Sequence, residues 1–191
     1  MFQIRLHGRG GQGVVSGAEM LSVAAFLEGR HAQAFPSFGS ERMGAPVMAF
    51  CRIDDREIRS REPVLHPDAV IIQDPTLLHQ VDLFSGLRPK GYVLINSTRS
   101  FDELGLTGLA AGSRGFVLCS LPATELALKH VGRPLPNAAL LGGFAAVTGR
   151  ITLASVLEAI AQKFSGAIAQ KNVAAAREAF ELVRPREALH A

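Results

Sequence analysis

The sequence predicts an α/β fold: an open, mostly parallel sheet with flanking helices, an antiparallel hairpin insertion and a helical C-terminal third. Three observations carry this. A glycine-rich loop follows a strand-like run directly and opens a helical run. Three continuous apolar runs recur through the middle of the chain with turn and helix signals between them, as in parallel strands covered on both faces. From Asn137 onward the last third reads as helical, first an apolar run rich in small residues and then two stretches with helical apolar spacing. At 191 residues the chain suits one domain, 1–191, large enough to bury a real core.

In order along the chain, Phe2, Ile4 and Leu6 alternate with Gln3, Arg5 and His7, the period of a strand with one buried face. The first strand of such a sheet usually lies centrally and reads apolar on both faces, so Arg5 and His7 are expected to face a polar cleft or a neighbouring chain. After the glycine loop, Val14, Ala18, Leu21 and Ala25 recur at helical spacing, and Gly29 sits where a C-terminal cap belongs. Residues 32–46, with two prolines, two glycines and a charged pair between aromatics, read as a shaped loop. Val47, Ala49, Cys51 and Ile53 then alternate with Met48, Phe50 and Arg52, and Asp54-Asp55 can turn the chain into a short partner strand at Arg56-Glu57-Ile58.

The apolar strands are Ala69–Ile72, Tyr92–Ile95 and Gly115–Leu118, with a helix expected over Pro75–Phe84 because Pro suits a first helical turn. In the last third, Asn137–Thr148 is apolar and rich in small residues. Thr152 can cap a helix carrying Val156, Leu157, Ile160 and Phe164, and a final helix carries Val173, Ala176, Phe180 and Val183 as far as Pro185.

Composition narrows the function. Hydrophobic residues make up 48% and charged residues 19% of the chain, a globular balance whose slight apolar tilt suits surface buried against other subunits. Net charge is only +3, with no run of like charge, so no nucleic-acid role is assigned. Cys51 and Cys119 stand far apart in apolar runs and read as buried thiols rather than as metal ligands or a disulfide. The N-terminus lacks a signal peptide's apolar core, and no stretch approaches the roughly 20 apolar residues of a membrane span, so a cytoplasmic protein is expected.

Gly8, Gly10 and Gly13 fit the spacing G-x-G-x-x-G, in which missing side chains allow a tight turn, close approach of a ligand and close helix packing. A dinucleotide site also needs an acid about 20 positions on, at the end of the second strand. Glu28 falls within the first helix, and residues 32–38 hold no carboxylate. A phosphate loop fails as well, because no Lys-Ser or Lys-Thr pair follows Gly13. What stays open is a purely structural turn or a backbone-lined contact with a ligand or partner. Glu41 and Arg42 either pair with each other on the surface or shape a recognition loop. The six histidines show no metal-ligand spacing, and no serine sits in a nucleophile elbow. Asp74 and Asn96 end parallel strands, where open α/β sheets bind ligands, although Asx residues also simply terminate strands.

Several stretches together resemble the gamma subunit of the 2-oxoacid:ferredoxin oxidoreductases, the pyruvate type in particular. They are Gly8-Arg9-Gly10-Gly11-Gln12-Gly13-Val14-Val15; Phe38-Gly39-Ser40-Glu41-Arg42-Met43-Gly44-Ala45-Pro46-Val47 with Phe50 and Arg52-Ile53; Pro67-Asp68; Asp74-Pro75; Ile95-Asn96-Ser97; and Asn137 with Leu141-Gly142. The pair of loops is far more specific than the glycine spacing alone. Met43 stands where the family commonly has a second Arg, and Ser40 where Pro is common.

The resemblance implies a Rossmann-like, catalytic gamma-type domain within a complex that decarboxylates a 2-oxoacid oxidatively. Thiamine diphosphate with Mg2+, [4Fe-4S] clusters and coenzyme A are expected in that complex and none is expected on this chain alone. It lacks the GDG-type thiamine motif, and two isolated cysteines cannot supply a cluster's four ligands. The implied partners are thiamine-binding alpha and beta subunits, a ferredoxin-like cluster subunit, and ferredoxin or a similar acceptor. Gly8, Gly10, Gly11, Gln12 and Gly13, with Ser40, Glu41, Arg42 and Gly44, would form interface or ligand-facing loops, and Glu41 and Arg42 would fix the second loop or meet an anionic group such as a coenzyme A phosphate. The alternatives are a free-standing dinucleotide-dependent oxidoreductase and a purely structural assembly subunit.

Overall fold

The structure, a computed structural model, describes residues 1–37 and 43–184. Its elements are β1 (Phe2–Arg9), α1 (Val14–Leu27), β2 (His31–Pro36), β3 (Pro46–Asp54), β4 (Ala69–Ile72), a 3-10 turn (Pro75–His79), β5 (Tyr92–Asn96), α2 (Thr107–Ala111), β6 (Val117–Leu121), α3 (Ala123–Val131), α4 (Asn137–Thr148), α5 (Leu153–Lys163) and α6 (Gly166–Val183). The strands form one sheet in the order β2-β3-β1-β4-β5-β6. β1, β4, β5 and β6 run parallel, and β3 lies antiparallel to both β1 and β2. The expected α/β class and mostly parallel sheet are thus borne out.

Two cores result. Phe2, Ile4, Leu6, Ile71 and Leu94 pack under the helices with Leu21 and Phe144. On the opposite face Val70, Ile72, Val93 and Ile95 are covered by Leu77, Leu83, Leu87 and Leu104, residues of short turns and loops. α4 is apolar all round because it is buried all round: Gly142 lets it meet the α6 backbone at Ala176, and Gly143 lets Leu121 approach. Thr152 caps α5 by accepting from Ser155 N at 3.2 Å, as its sequence position predicts. Glu28, just past α1, accepts from Thr152 N, Thr152 Oγ1 and Ser155 Oγ at 2.6, 2.9 and 2.5 Å and so ties α1 to α5.

Five expectations are corrected. The antiparallel element is β2 with β3, registered His31↔Asp54 to Pro36↔Ala49, and Arg56-Glu57-Ile58 forms no strand. Residues 31–36 are therefore strand, where a loop over 32–46 is expected; Pro36 lies at the end of β2, where the missing N–H costs least, and Pro46 opens β3. The helix expected over Pro75–Phe84 is a single 3-10 turn ending at His79. β6 begins at Val117, two residues later than expected, and as an edge strand leaves Val117 exposed and Cys119 only partly buried. Helices α2 and α3 were not anticipated.

The fifth correction concerns β1. It lies between β3 and β4 with both faces buried, Arg5 at 6% and His7 at 7% exposure. Its polar side chains face neither solvent nor an open cleft. Arg5 Nη2 donates to the carbonyls of Leu83 and Ser85 at 2.9 and 2.8 Å. Arg52, 2% exposed, donates to Gln3 Oε1 at 3.1 Å, to the Ser60 carbonyl at 3.4 Å and to the Glu62 carbonyl. Irregular chain has no ladder for its carbonyls, and buried guanidinium groups supply the missing donors.

Candidate functional site

The site is built where β1, β4 and β5 end. β1 stops at Arg9, Gly11 and Gly13 adopt left-handed φ values of 90° and 74°, and α1 starts at Val14. Gly8 is needed for space, because a Cβ there would lie 2.7 Å from the Val14 side chain and 3.0 Å from the side-chain oxygens of Gln12 and Gln73. A Cβ at Gly13 would collide with Asn137, whose Nδ2 donates to the Gly13 carbonyl at 3.0 Å. Among the described residues no side chain caps the α1 N-terminus, so its first amides stay open.

The second loop's near end is bound to the glycine loop. Gly10 N donates to the Ala45 carbonyl at 2.9 Å, and Gly44 N donates to the Gly10 carbonyl at 3.1 Å. Gly11 lies under Met43, which is 87% exposed. Side chains reinforce the contact. Gln12 Oε1 accepts from Arg9 N at 2.7 Å, its Nε2 donates to Asp74 Oδ2 at 2.8 Å, and Arg9 reaches Asp74, Gly44 O and Thr76 Oγ1 at 3.1, 3.0 and 2.7 Å. The Gln12 amide is thus used within the chain.

Asp74 also accepts from Thr76 N and Oγ1 at 3.0 and 2.6 Å. Burial pushes its pKa up, but the hydrogen bonds from Thr76 and Gln12 and the charge of Arg9 outweigh that, leaving it below the ordinary value. Asn96 staples the next strand end: Nδ2 donates to Gln73 O and Thr124 Oγ1, both at 2.8 Å, and Oδ1 accepts from Thr124 N at 3.0 Å. These groups line a cleft of about 490 Å³ together with Gly10, Gly11, Thr124 and Leu135.

Of the residues singled out in the sequence, Gly8, Gly10, Gly11, Gln12, Gly13, Gly44, Asp74 and Asn96 all meet around this cleft or its supporting loop. Ser40, Glu41 and Arg42 lie outside the described residues. Arg9, Thr76, Gln73 and Thr124 were missed. Asp74-Pro75-Thr76 was readable as a capped turn, since Asp precedes Pro at a first helical position. Gln73 gave no signal: it is 2% exposed, beneath Gly8 and Gly17, and its Oε1 has no partner among the described residues.

Among the described residues no group of three His, Cys, Asp or Glu side chains is placed to hold a metal. Burial pushes the Cys51 and Cys119 thiols up to about 12 and about 11, which removes them as nucleophiles near neutrality. The cleft offers the Asp74 carboxylate and the carboxamides of Gln12, Gln73 and Asn96, each hydrogen-bonded within the chain, beside the apolar Met43, Pro75 and Leu135. No helix of the described residues is long and apolar enough to cross a membrane.

That architecture has close counterparts. The profile of the pyruvate ferredoxin/flavodoxin oxidoreductase family matches residues 3–182. The chain belongs to that family. It is 48% identical over 181 residues to the pyruvate/ketoisovalerate oxidoreductases common subunit gamma of Thermococcus litoralis, covering 95% of this chain and 96% of the relative. It is 47% identical over 188 residues to the pyruvate synthase subunit PorC of Methanosarcina barkeri, covering 98% and 100%. The crystal structure of pyruvate oxidoreductase subunit PORC of Thermotoga maritima superposes with a TM-score of 0.81 at 35% identity over 94% of this chain and 95% of that one. Within the family this is a gamma-type chain, the kind that forms part of an oxidoreductase complex.

Proposed function

We propose that residues 1–191 act as one gamma-type domain of a cytoplasmic thiamine diphosphate- and iron-sulfur-dependent 2-oxoacid oxidoreductase. The complex converts the oxoacid, pyruvate by default, with coenzyme A to acyl-CoA and CO2, passing electrons to ferredoxin or a similar acceptor. Thiamine-binding alpha and beta subunits and a ferredoxin-like subunit are its partners. Branched-chain, aryl or dicarboxylic oxoacids stay open, because substrate-side residues are expected on other chains.

This chain's own residues do not fit the redox cofactors: it has no GDG-type thiamine motif, and its two cysteines lie on separate strands with protonated thiols. Its contribution is the two-loop surface, shaping the interface and the approach to the active site. The observation that carries this is the pair of backbone bonds between Gly10 and the Gly44–Ala45 segment, which makes two distant stretches of sequence one surface. Glu41 and Arg42 would extend it, Arg42 offering a forked donor to an anionic group such as a coenzyme A phosphate.

Dye reduction by the purified complex with 2-oxoacid and coenzyme A tests the reading. Gly11→Ala would set a Cβ 2.5 Å from Met43 Sδ at a φ of 90°. With assembly intact, its turnover is expected to fall by about tenfold or more, the scale of one lost positioning contact. Full turnover from Gly11→Ala and Arg42→Ala complexes would leave only an assembly role.

A further inference from the structure

The backbone bonds that join the two loops are backed by side chains that converge on a single carboxylate. Asp74 receives four donors on two oxygens: Thr76 N and Oγ1 on Oδ1, Arg9 Nε and Gln12 Nε2 on Oδ2. Two of these lead outward. Gln12 turns its Oε1 to Arg9 N and closes the glycine loop, while Arg9 extends Nη1 to the Gly44 carbonyl and holds the start of β3's approach. Gly44 itself has open space around it, and Met43 is almost fully exposed, so among the described residues this end of the second loop is gripped by the Gly10 backbone and the Arg9 side chain. Asp74, by contrast, follows the buried β4 and Gln73 directly and caps the 3-10 turn. It carries the position of the sheet into both loops.

We propose that Asp74 is a positioning residue that sets the glycine loop and the Met43–Ala45 segment ahead of β3 in one register, so that the two hold or lose their geometry together. The idea rests on the reading that these loops face the reacting centre of the complex. The charge matters as well as the shape: a carboxylate accepts all four donors, whereas a carboxamide offers one acceptor oxygen and turns an N–H toward Arg9 or Gln12.

Two measurements on Asp74→Asn test it. In the full chain, amide hydrogen exchange at Gly10 and Gly44 should accelerate together, by about tenfold or more for the loss of one charged hydrogen-bond network, while exchange within β4 and β5 holds. In the assembled complex, the KM for coenzyme A should rise by about tenfold with kcat per complex within about twofold, whereas a fold-wide defect would lower yield and kcat and leave KM alone. Should Asp74→Asn fail to fold, Thr76→Val removes the hydroxyl bridging Asp74 and Arg9 and should shift both amides in the same direction by less. Unchanged exchange at Gly10 and Gly44, or a change at only one, overturns the proposal. Joint acceleration with an unchanged KM upholds the coupling and defeats the reading that the loops serve the active site.

Discussion

The two faces of the sheet hold together by different means. On the helix face, Phe2, Ile4 and Leu6 pack with Phe144, Leu21 and Ile160, and polar groups are few. On the other face the chain crosses β1 and β3 in irregular segments, and Arg5 and Arg52 fasten those segments by donating to their carbonyls. The contrast teaches that one sheet can be closed by apolar area beneath its helices while, on the other face, a smaller apolar cluster over β4 and β5 is joined by buried donors over β1 and β3. Failure should then be global on the first and local on the second.

The largest expected effect lies on the helix face. Phe144 packs edge-on against Phe2 at 6.5 Å between ring centroids and is 1% exposed. Phe144→Ala should cost about 4 kcal/mol through lost transfer energy and a cavity, seen as one cooperative loss in chemical denaturation. Gly142→Ala is next: a Cβ there runs into the Ala176 carbonyl, a backbone atom that can yield only if α6 moves, so a cost of about 3 kcal/mol is expected. Arg52→Met keeps the stem and removes the donors. It should cost about 2 kcal/mol, and limited proteolysis should find new cleavage near residues 58–64 before the melting transition. If Arg52→Met instead lowers the whole transition as Phe144→Ala does, the two faces are one cooperative unit and the comparison breaks.

The same division decides what could be read from the sequence. α5 and α6 stand where the sequence places them because one-sided burial leaves a helical spacing, α4 because it is one continuous apolar run rich in small residues, and Thr152 marks the cap of α5. β4 and β5 were legible as apolar runs. β2 was not: in His-Ala-Gln-Ala-Phe-Pro the alternation rests on two alanines, Ala32 and Ala34, too small to stand out, and it is a strand because β3 pairs with it. Nor could alternation along β1 show that Arg5 and His7 are buried, since the carbonyls that accept from Arg5 lie at Leu83 and Ser85, about 80 residues away. At the site, the glycines announced themselves by spacing. Arg9 and Gln73 did not, because their roles depend on partners that only the fold assembles.

The subtlest test of the comparison is a charge placed on the loop face by acid. His7 is 7% exposed, and its Nε2 is buried without a partner among the described residues. Burial first, and then the positive charge of Arg5, push its pKa down to about 3. The unfolded chain would hold a histidine near 6.5, so between about 6.5 and 3 the unfolded state binds the proton and the folded state does not. Stability contributed by neutral His7 is therefore complete above about pH 6.5 and declines as pH falls. The slope has a ceiling of about 1.4 kcal/mol per unit, with about 1 expected once local relaxation is allowed. Asp74, Glu28 and Glu178, whose pKa values are also depressed, add acid sensitivity from about pH 5 downward, so the window from about 6.5 to 5.5 is the one in which His7 stands apart from them. Chemical denaturation at several pH values in that window should show the slope in the wild type and a flatter line in His7→Gln. Parallel lines would mean that the loop face opens enough to hydrate an imidazolium, and that donors do not seal it as apolar packing seals the face beneath the helices.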